Sequence, residues 1–131
     1  MTSILLDTNA FLWLVSAPDR IAAPARETFE DRTNELFVSA ASAWEVAIKT
    51  RIGRLDGAPL LSTWNEVLSG MQVIDLSIES SDAITAGQLN WDHKDPFDRM
   101  IVAQAARRGL TIATSDDHVL RGAVTPVIDT R

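Results

Sequence analysis

Short apolar runs alternate along the chain with longer stretches of helical spacing. Ser3-Ile4-Leu5-Leu6-Asp7, Leu36–Ser39, Gln72–Leu76 and Leu110–Thr114 set apolar residues side by side instead of alternating them with polar ones. Strands covered on both faces, as in a parallel sheet, read this way. Between these runs, apolar residues three and four apart predict helices over Ala10–Val15, Pro24–Arg32, Ala43–Arg51 running on to Gly53, Leu60–Ser69, Ser77–Leu89 and from Pro96 to a stop at Gly109. Thr125–Asp129 predicts a last short strand, placed at an edge because Pro126 cannot donate to a ladder. Strands that alternate with helices imply βαβ crossovers. The fold class is α/β: an α/β/α sandwich around a central, mainly parallel sheet of about four or five short strands. Residues 1–131 suit one domain with one core, and no repeat or long loop divides them.

Two helices carry informative detail. Asp95-Pro96 is a start signal, with Asp95 as N-cap and Pro96 at the first helical position, which puts Asp98 third. On the helix from Ala43, the residues Trp44, Ala47, Ile48 and Ile52 share a stripe expected to pack on the sheet. Glu45 lies at the edge of that stripe. It is within reach both of the sheet end and of Lys49 four residues on.

The candidate chemistry is carried by carboxylates. Asp7 and Asp116 each close an apolar strand, and the carboxyl edge of a parallel sheet is where ligands bind. Either also serves as an N-cap for the residues after it. Asp98 is favoured in a first turn by the helix dipole alone. Asp7, Glu45, Asp98 and Asp116 nevertheless have compatible addresses, and four acids in one cleft do not stay ionised without cations. The chain has no cysteine, so Mg²⁺ or Mn²⁺ on oxygen ligands is the natural cofactor. Thr8, Asn9, Ser39 and Thr114 are candidates to orient these acids, though each also suits ordinary capping. His93 offers a metal or phosphate ligand, but a lone loop histidine is more often structural. Trp13, Trp44, Trp64 and Trp91 are read mostly as core.

Charge changes the picture little. Twelve bases against 18 acids give a net charge of −6, which by itself disfavours nucleic acid. Two divalent ions would offset roughly four of those charges locally. The clusters Lys49, Arg51 and Arg54, the pair Arg107-Arg108, and Arg121 with Arg131 read as solvated surface. Met1-Thr2-Ser3 carries no positive leader and Asp7 interrupts the first apolar run, so the expectation is a cytoplasmic protein with no membrane partner.

Leu5-Leu6-Asp7-Thr8-Asn9, Ser42-Ala43-Trp44-Glu45-Val46-Ala47-Ile48-Lys49, Asp95-Pro96-Phe97-Asp98-Arg99 and Ala113-Thr114-Ser115-Asp116, in this order, resemble the motifs of PIN-domain ribonucleases, above all the VapC toxins of toxin–antitoxin systems. The resemblance covers nearly the whole chain. It implies a PIN-like fold and an Mg²⁺-dependent endoribonuclease, with Mn²⁺ as a possible substitute, that leaves 5′-phosphate and 3′-hydroxyl ends. Asp7, Glu45, Asp98 and Asp116 would correspond to the catalytic and metal-binding acids, with Asp116 matching better than its neighbour Asp117. An RNA substrate, a cognate VapB-like antitoxin and a homodimer are the implied partners. Arg99 is left between an ion pair with Asp95 and a phosphate contact.

Rival readings fit less well. A dehalogenase-type phosphatase needs a second Asp two residues after the first, where this chain has Asn9. A receiver domain needs a late lysine, and none follows Lys94. A catalytically idle RNA- or protein-binding module on the same fold is the alternative from another class, and loss of one acid would have favoured it.

Overall fold

The computed structural model describes residues 1–131. Its strands β1 (Ser3–Leu6), β2 (Glu35–Ser39), β3 (Val73–Leu76), β4 (Thr111–Thr114) and β5 (Val127–Asp129) form one sheet in the order β3-β2-β1-β4-β5. Every neighbouring pair is parallel. The helices are α1 (Thr8–Ser16), α2 (Ala23–Glu30), α3 (Ala40–Arg51), α4 (Ala58–Ser62), α5 (Trp64–Met71), α6 (Ser80–Gln88), α7 (Pro96–Arg108) and α8 (Asp117–Gly122). A single 3₁₀ turn, Pro18–Arg20, joins α1 to α2. The expected edge strand is therefore at an edge, and the sheet is wholly parallel.

The unbroken apolar runs have a direct cause in the packing. Ile4 and Leu6 point into one core with Phe11, Val38 and Leu68. Leu5, between them, points into a second core with Ile101, Val102, Ile112 and Val119. Successive side chains of a strand face opposite ways, so a strand with a core on each side needs apolar residues at every position. Gly109 ends α7 at φ 67°, a left-handed conformation that glycine adopts without penalty.

Several element boundaries and one face differ from the expectation. α3 begins three residues early, because Ser39 takes the cap and accepts from the Ala41 N–H at 3.0 Å. The expected helix Leu60–Ser69 is two helices. Thr63 interrupts them, and its hydroxyl donates back to the Pro59 carbonyl at 2.8 Å. α6 starts only at Ser80, where the Asp82 carboxylate accepts from the Glu79 N–H at 2.9 Å. The stripe expected to pack on the sheet does not do so. Trp44 is 58% exposed and Ile52 51%, while Ala41, Ser42, Glu45 and Val46 form the buried face. Apolar residues lie on both sides of α3, so their spacing does not choose a face. Hydrogen bonds that satisfy Ser42 and Glu45 against α1 allow the polar side to turn inward.

The α6–α7 pair is fastened by a buried ion pair. Asp82 is fully buried and faces Arg107 and Arg108, with Arg108 Nη2 at 2.9 Å. Burial pushes its carboxyl up, but bonds from the Glu79 N–H, Arg108, Arg107 and Gln104 outweigh this and hold it at about 2. Two of the bases read as solvated surface thus have a structural role. Asp82→Ala removes the acceptor of the Glu79 N–H and the partner of two partly exposed arginines, so it should cost about 1–3 kcal/mol in urea unfolding at pH 7. Ile84→Ala, on the exposed side of the same helix, should cost less than about 0.5 kcal/mol. Equal losses in the two variants would contradict this.

Candidate active site

The adjacent strands β1 and β4 end together and deliver Asp7 and Asp116 to the same edge. The first turn of α7 brings Asp98 to them. The charges of Asp98 and Asp116 both act on Asp7. Donor atoms of His93, Asp98 and Asp116 lie within 4.8 Å of one another. Asp117, by contrast, is exposed and pairs with Arg131 at 3.0 Å, which separates the two members of that doublet.

Capping and clustering turn out to be compatible roles. Asp7 accepts from the Ala10 N–H through Oδ1 at 2.8 Å. Asp116 accepts from the His118 and Val119 N–H groups, also through Oδ1, and its Oδ2 takes no hydrogen bond from the protein. At α7 the cap is Asp95, whose Oδ1 accepts from the Phe97 and Asp98 N–H groups. Asp98 is thereby freed from capping, and its Oδ2 meets His93 Nε2 at 2.7 Å. Thr114, fully buried at the end of β4, accepts from the Asp116 N–H at 3.0 Å, and its hydroxyl lies close enough to Asp7 to favour that group's charged form.

Glu45 occupies an adjoining position. It is 7% exposed, accepts from the Thr8 hydroxyl at 2.6 Å, and pairs with Lys49. Thr8 in turn bonds to Ser42 at 2.9 Å. Glu45 is therefore joined to Asp7 through the next residue, Thr8, and is not among the three tightly grouped donors. Of the supporting candidates, Thr8 and Thr114 bond to the acids, Ser39 caps α3, and Asn9 is exposed.

His93 and Arg99 are the residues whose roles the sequence left open. The Arg99 side chain makes no ion pair with Asp95 and is taken up by backbone carbonyls. Its guanidinium donates to the carbonyls of Ala86, Gly87, Leu89, Trp91 and His93, which close the end of α6 and the loop after it. That clamp fixes the backbone on which His93 sits. The imidazole lies between Trp91, at 4.9 Å, and His118, which stacks on it at 4.5 Å and 9°. Gly122 lets α8 close on this loop, since a Cβ there would come within 2.3 Å of the Trp91 ring. The only sequence signal for the arrangement is Arg99 following Asp98, and nothing in its spacing reveals carbonyl partners.

Both Asp7 and Asp98 have carboxyls pushed up to about 6. Burial is the main cause in each. Hydrogen bonds from Thr114 and His93 respectively pull the other way, and neighbouring carboxylates add to the rise. A cation would relieve both effects, and a set of carboxylate oxygens with one imidazole suits a divalent ion. The chemistry such an edge can perform is the binding of a hard or borderline cation beside the N-termini of α1, α3 and α7, which favour anionic groups.

A family model for the PIN domain matches residues 4–124 of the chain. Ribonuclease VapC22 of Mycobacterium tuberculosis is 32% identical over 117 residues, which span 88% of this chain and 88% of that protein. In fold the chain is similar to the DNA-bound VapBC of Salmonella typhimurium, at 22% identity and a TM-score of 0.70 over 100% of each chain. It is likewise similar to VapBC2 of Rickettsia felis bound to a promoter DNA fragment, at 13% identity and a TM-score of 0.72 over 98% of each chain.

The raised carboxyls fix the sign of a pH dependence. In the unfolded chain Asp7 ionises near pH 4, and in the folded protein only near pH 6. Metal-free protein should therefore lose stability as pH rises from about 4 to about 6 and change little from this source above that, by about 2–3 kcal/mol for Asp7. Asp7→Asn keeps an acceptor for Ala10 and should flatten the slope. Urea unfolding from pH 4 to 8 in EDTA measures it, and identical profiles for the two proteins would count against the raised carboxyl.

Proposed function

The chain belongs to the PIN-domain family and is a homologue of VapC ribonucleases; from that premise we propose that it is a metal-dependent endoribonuclease, the toxin of a toxin–antitoxin pair acting on cytoplasmic RNA. The observation that carries the reading is the convergence of Asp7, Asp98 and Asp116 at the carboxyl edge of β1 and β4, with Glu45 beside them. Asp7, Asp98 and Asp116 would hold the cation, Mg²⁺ or in its place Mn²⁺, and Glu45 completes the acidic set. When bound, the ion supplies Lewis acidity that activates water and offsets charge on the leaving oxygen.

The protein's own groups do the positioning. Capping bonds fix one oxygen of Asp7 and of Asp116, so each carboxylate presents its other oxygen in one orientation. Thr114 holds the backbone at Asp116, and Thr8 holds Glu45. Lys49 balances the charge of Glu45, which limits repulsion of a phosphodiester at the rim.

No helix is long and apolar enough to cross a membrane. A second copy and a VapB-like antitoxin are the protein partners of this reading. The exposed Trp44, set edge-on to Phe97 at 5.1 Å, borders a groove of about 220 Å³ lined mainly by apolar residues from α3, α6 and α7. A second copy packed on this face would cover it.

Purified protein should cut a mixed tRNA and ribosomal RNA pool in Mg²⁺ but not in EDTA, leaving 5′-phosphate ends. Asp98→Asn should lower the rate by about 100-fold or more, since even the loss of a group bonded to a metal ligand reaches that size. Cuts that persist in EDTA, or cyclic-phosphate ends, would contradict the mechanism. For the dimer, light scattering should give twice the mass of one chain, reduced to one chain by Trp44→Glu. A monomeric parent protein, or an unaltered dimer in the variant, would exclude this face.

A further inference from the structure

His93 is built into the acidic edge more firmly than a loop histidine needs to be. Its side chain is 17% exposed. Its backbone carbonyl is held by Arg99 at 3.0 Å, its ring stacks on His118 and lies tilted against Trp91, and its Nε2 faces the acids. The donor atoms of His93, Asp98 and Asp116 lie within 4.8 Å of one another. Adjacent ligands on one ion with bonds of about 2.1 Å stand about 3 Å apart, and opposite ones about 4.2 Å. His93 Nε2 and Asp98 Oδ2, 2.7 Å apart, are close to the spacing of adjacent ligands, and the third donor is near enough for one ion to draw it in.

We infer that His93 Nε2 is a direct ligand of the cation held by Asp98 and Asp116, and that this nitrogen biases the site toward Mn²⁺ over Mg²⁺. The inference rests on the acidic cation site proposed above and adds a residue to it. A carboxylate-only site suits Mg²⁺, which takes oxygen donors and gives up water reluctantly. An imidazole is a softer donor, and transition metals gain from it where Mg²⁺ does not. His93 Nε2 already faces the Asp98 carboxylate at 2.7 Å, so both donors are aimed at the same point of the acidic edge. The clamp by Arg99 and the stacked His118 ring hold the imidazole in that position.

The test uses Mn²⁺ alone as the probe. Pulsed EPR of the Mn²⁺-loaded full chain should show ¹⁴N coupling from a coordinated imidazole. The coupling should vanish in His93→Gln and persist in His118→Gln, with folding of each variant checked by its unfolding curve in EDTA. Calorimetry should show His93→Gln losing Mn²⁺ affinity by about tenfold or more while Mg²⁺ affinity changes little. Saturable Mn²⁺ binding that is lost in Asp116→Asn yet carries no ¹⁴N coupling would overturn the role of His93 and leave the acidic site standing. Absence of any saturable Mn²⁺ binding by the parent protein would overturn both.

Discussion

Carboxylates crowded at one edge of a sheet repel one another, and the structure around Asp7, Asp98 and Asp116 is arranged to hold that repulsion in place. Burial and like charge push the carboxyls of Asp7 and Asp98 up to about 6. Three features offset part of that rise and hold the acids in place. The N-terminal N–H groups of α1 and α8 bond Asp7 and Asp116. Thr114 accepts from the Asp116 N–H and favours the charged form of Asp7. His93 faces Asp98. The result is a concentration of negative charge that a cation would stabilise.

The scaffold is stabilised elsewhere. Two cores flank the sheet, and the central strand β1 feeds both through alternate residues. α6 is tied to α7 twice: at one end by Asp82 with Arg107 and Arg108, and at the other by Arg99 with the carbonyls at the end of α6 and just after it. The second tie also fixes the loop that carries His93. Stability and site geometry therefore share Arg99, while Asp82 serves stability alone.

The sequence revealed the parts set by local chemistry. Unbroken apolar runs marked parallel strands with cores on both sides, and Asp95-Pro96 and Gly109 marked the ends of α7. Asp7 and Asp116 were legible as strand-end acids, although their capping role and their place in the cluster looked like alternatives. They are both at once, because each carboxylate has two oxygens. What the sequence hid was set by tertiary partners. α3 is apolar on both sides, so only the bonds of Ser42 and Glu45 to Thr8 decide which side is buried. Arg99 binds backbone carbonyls, which carry no residue-specific pattern. Glu45 keeps its helical pair with Lys49 while also lying buried next to the site, a combination that spacing alone does not distinguish.

The most direct measurement of the central claim is a calorimetric titration of Mg²⁺ into the metal-free protein at pH 6, repeated in two buffers of different ionisation enthalpy. At that pH Asp7 and Asp98 are each partly protonated, and a cation that binds them must displace protons. The account predicts saturable binding whose apparent enthalpy depends on the buffer, with proton release that fades by pH 8. Saturable binding with no buffer dependence at pH 6 would place the ion away from these acids, and no binding at all would contradict the account.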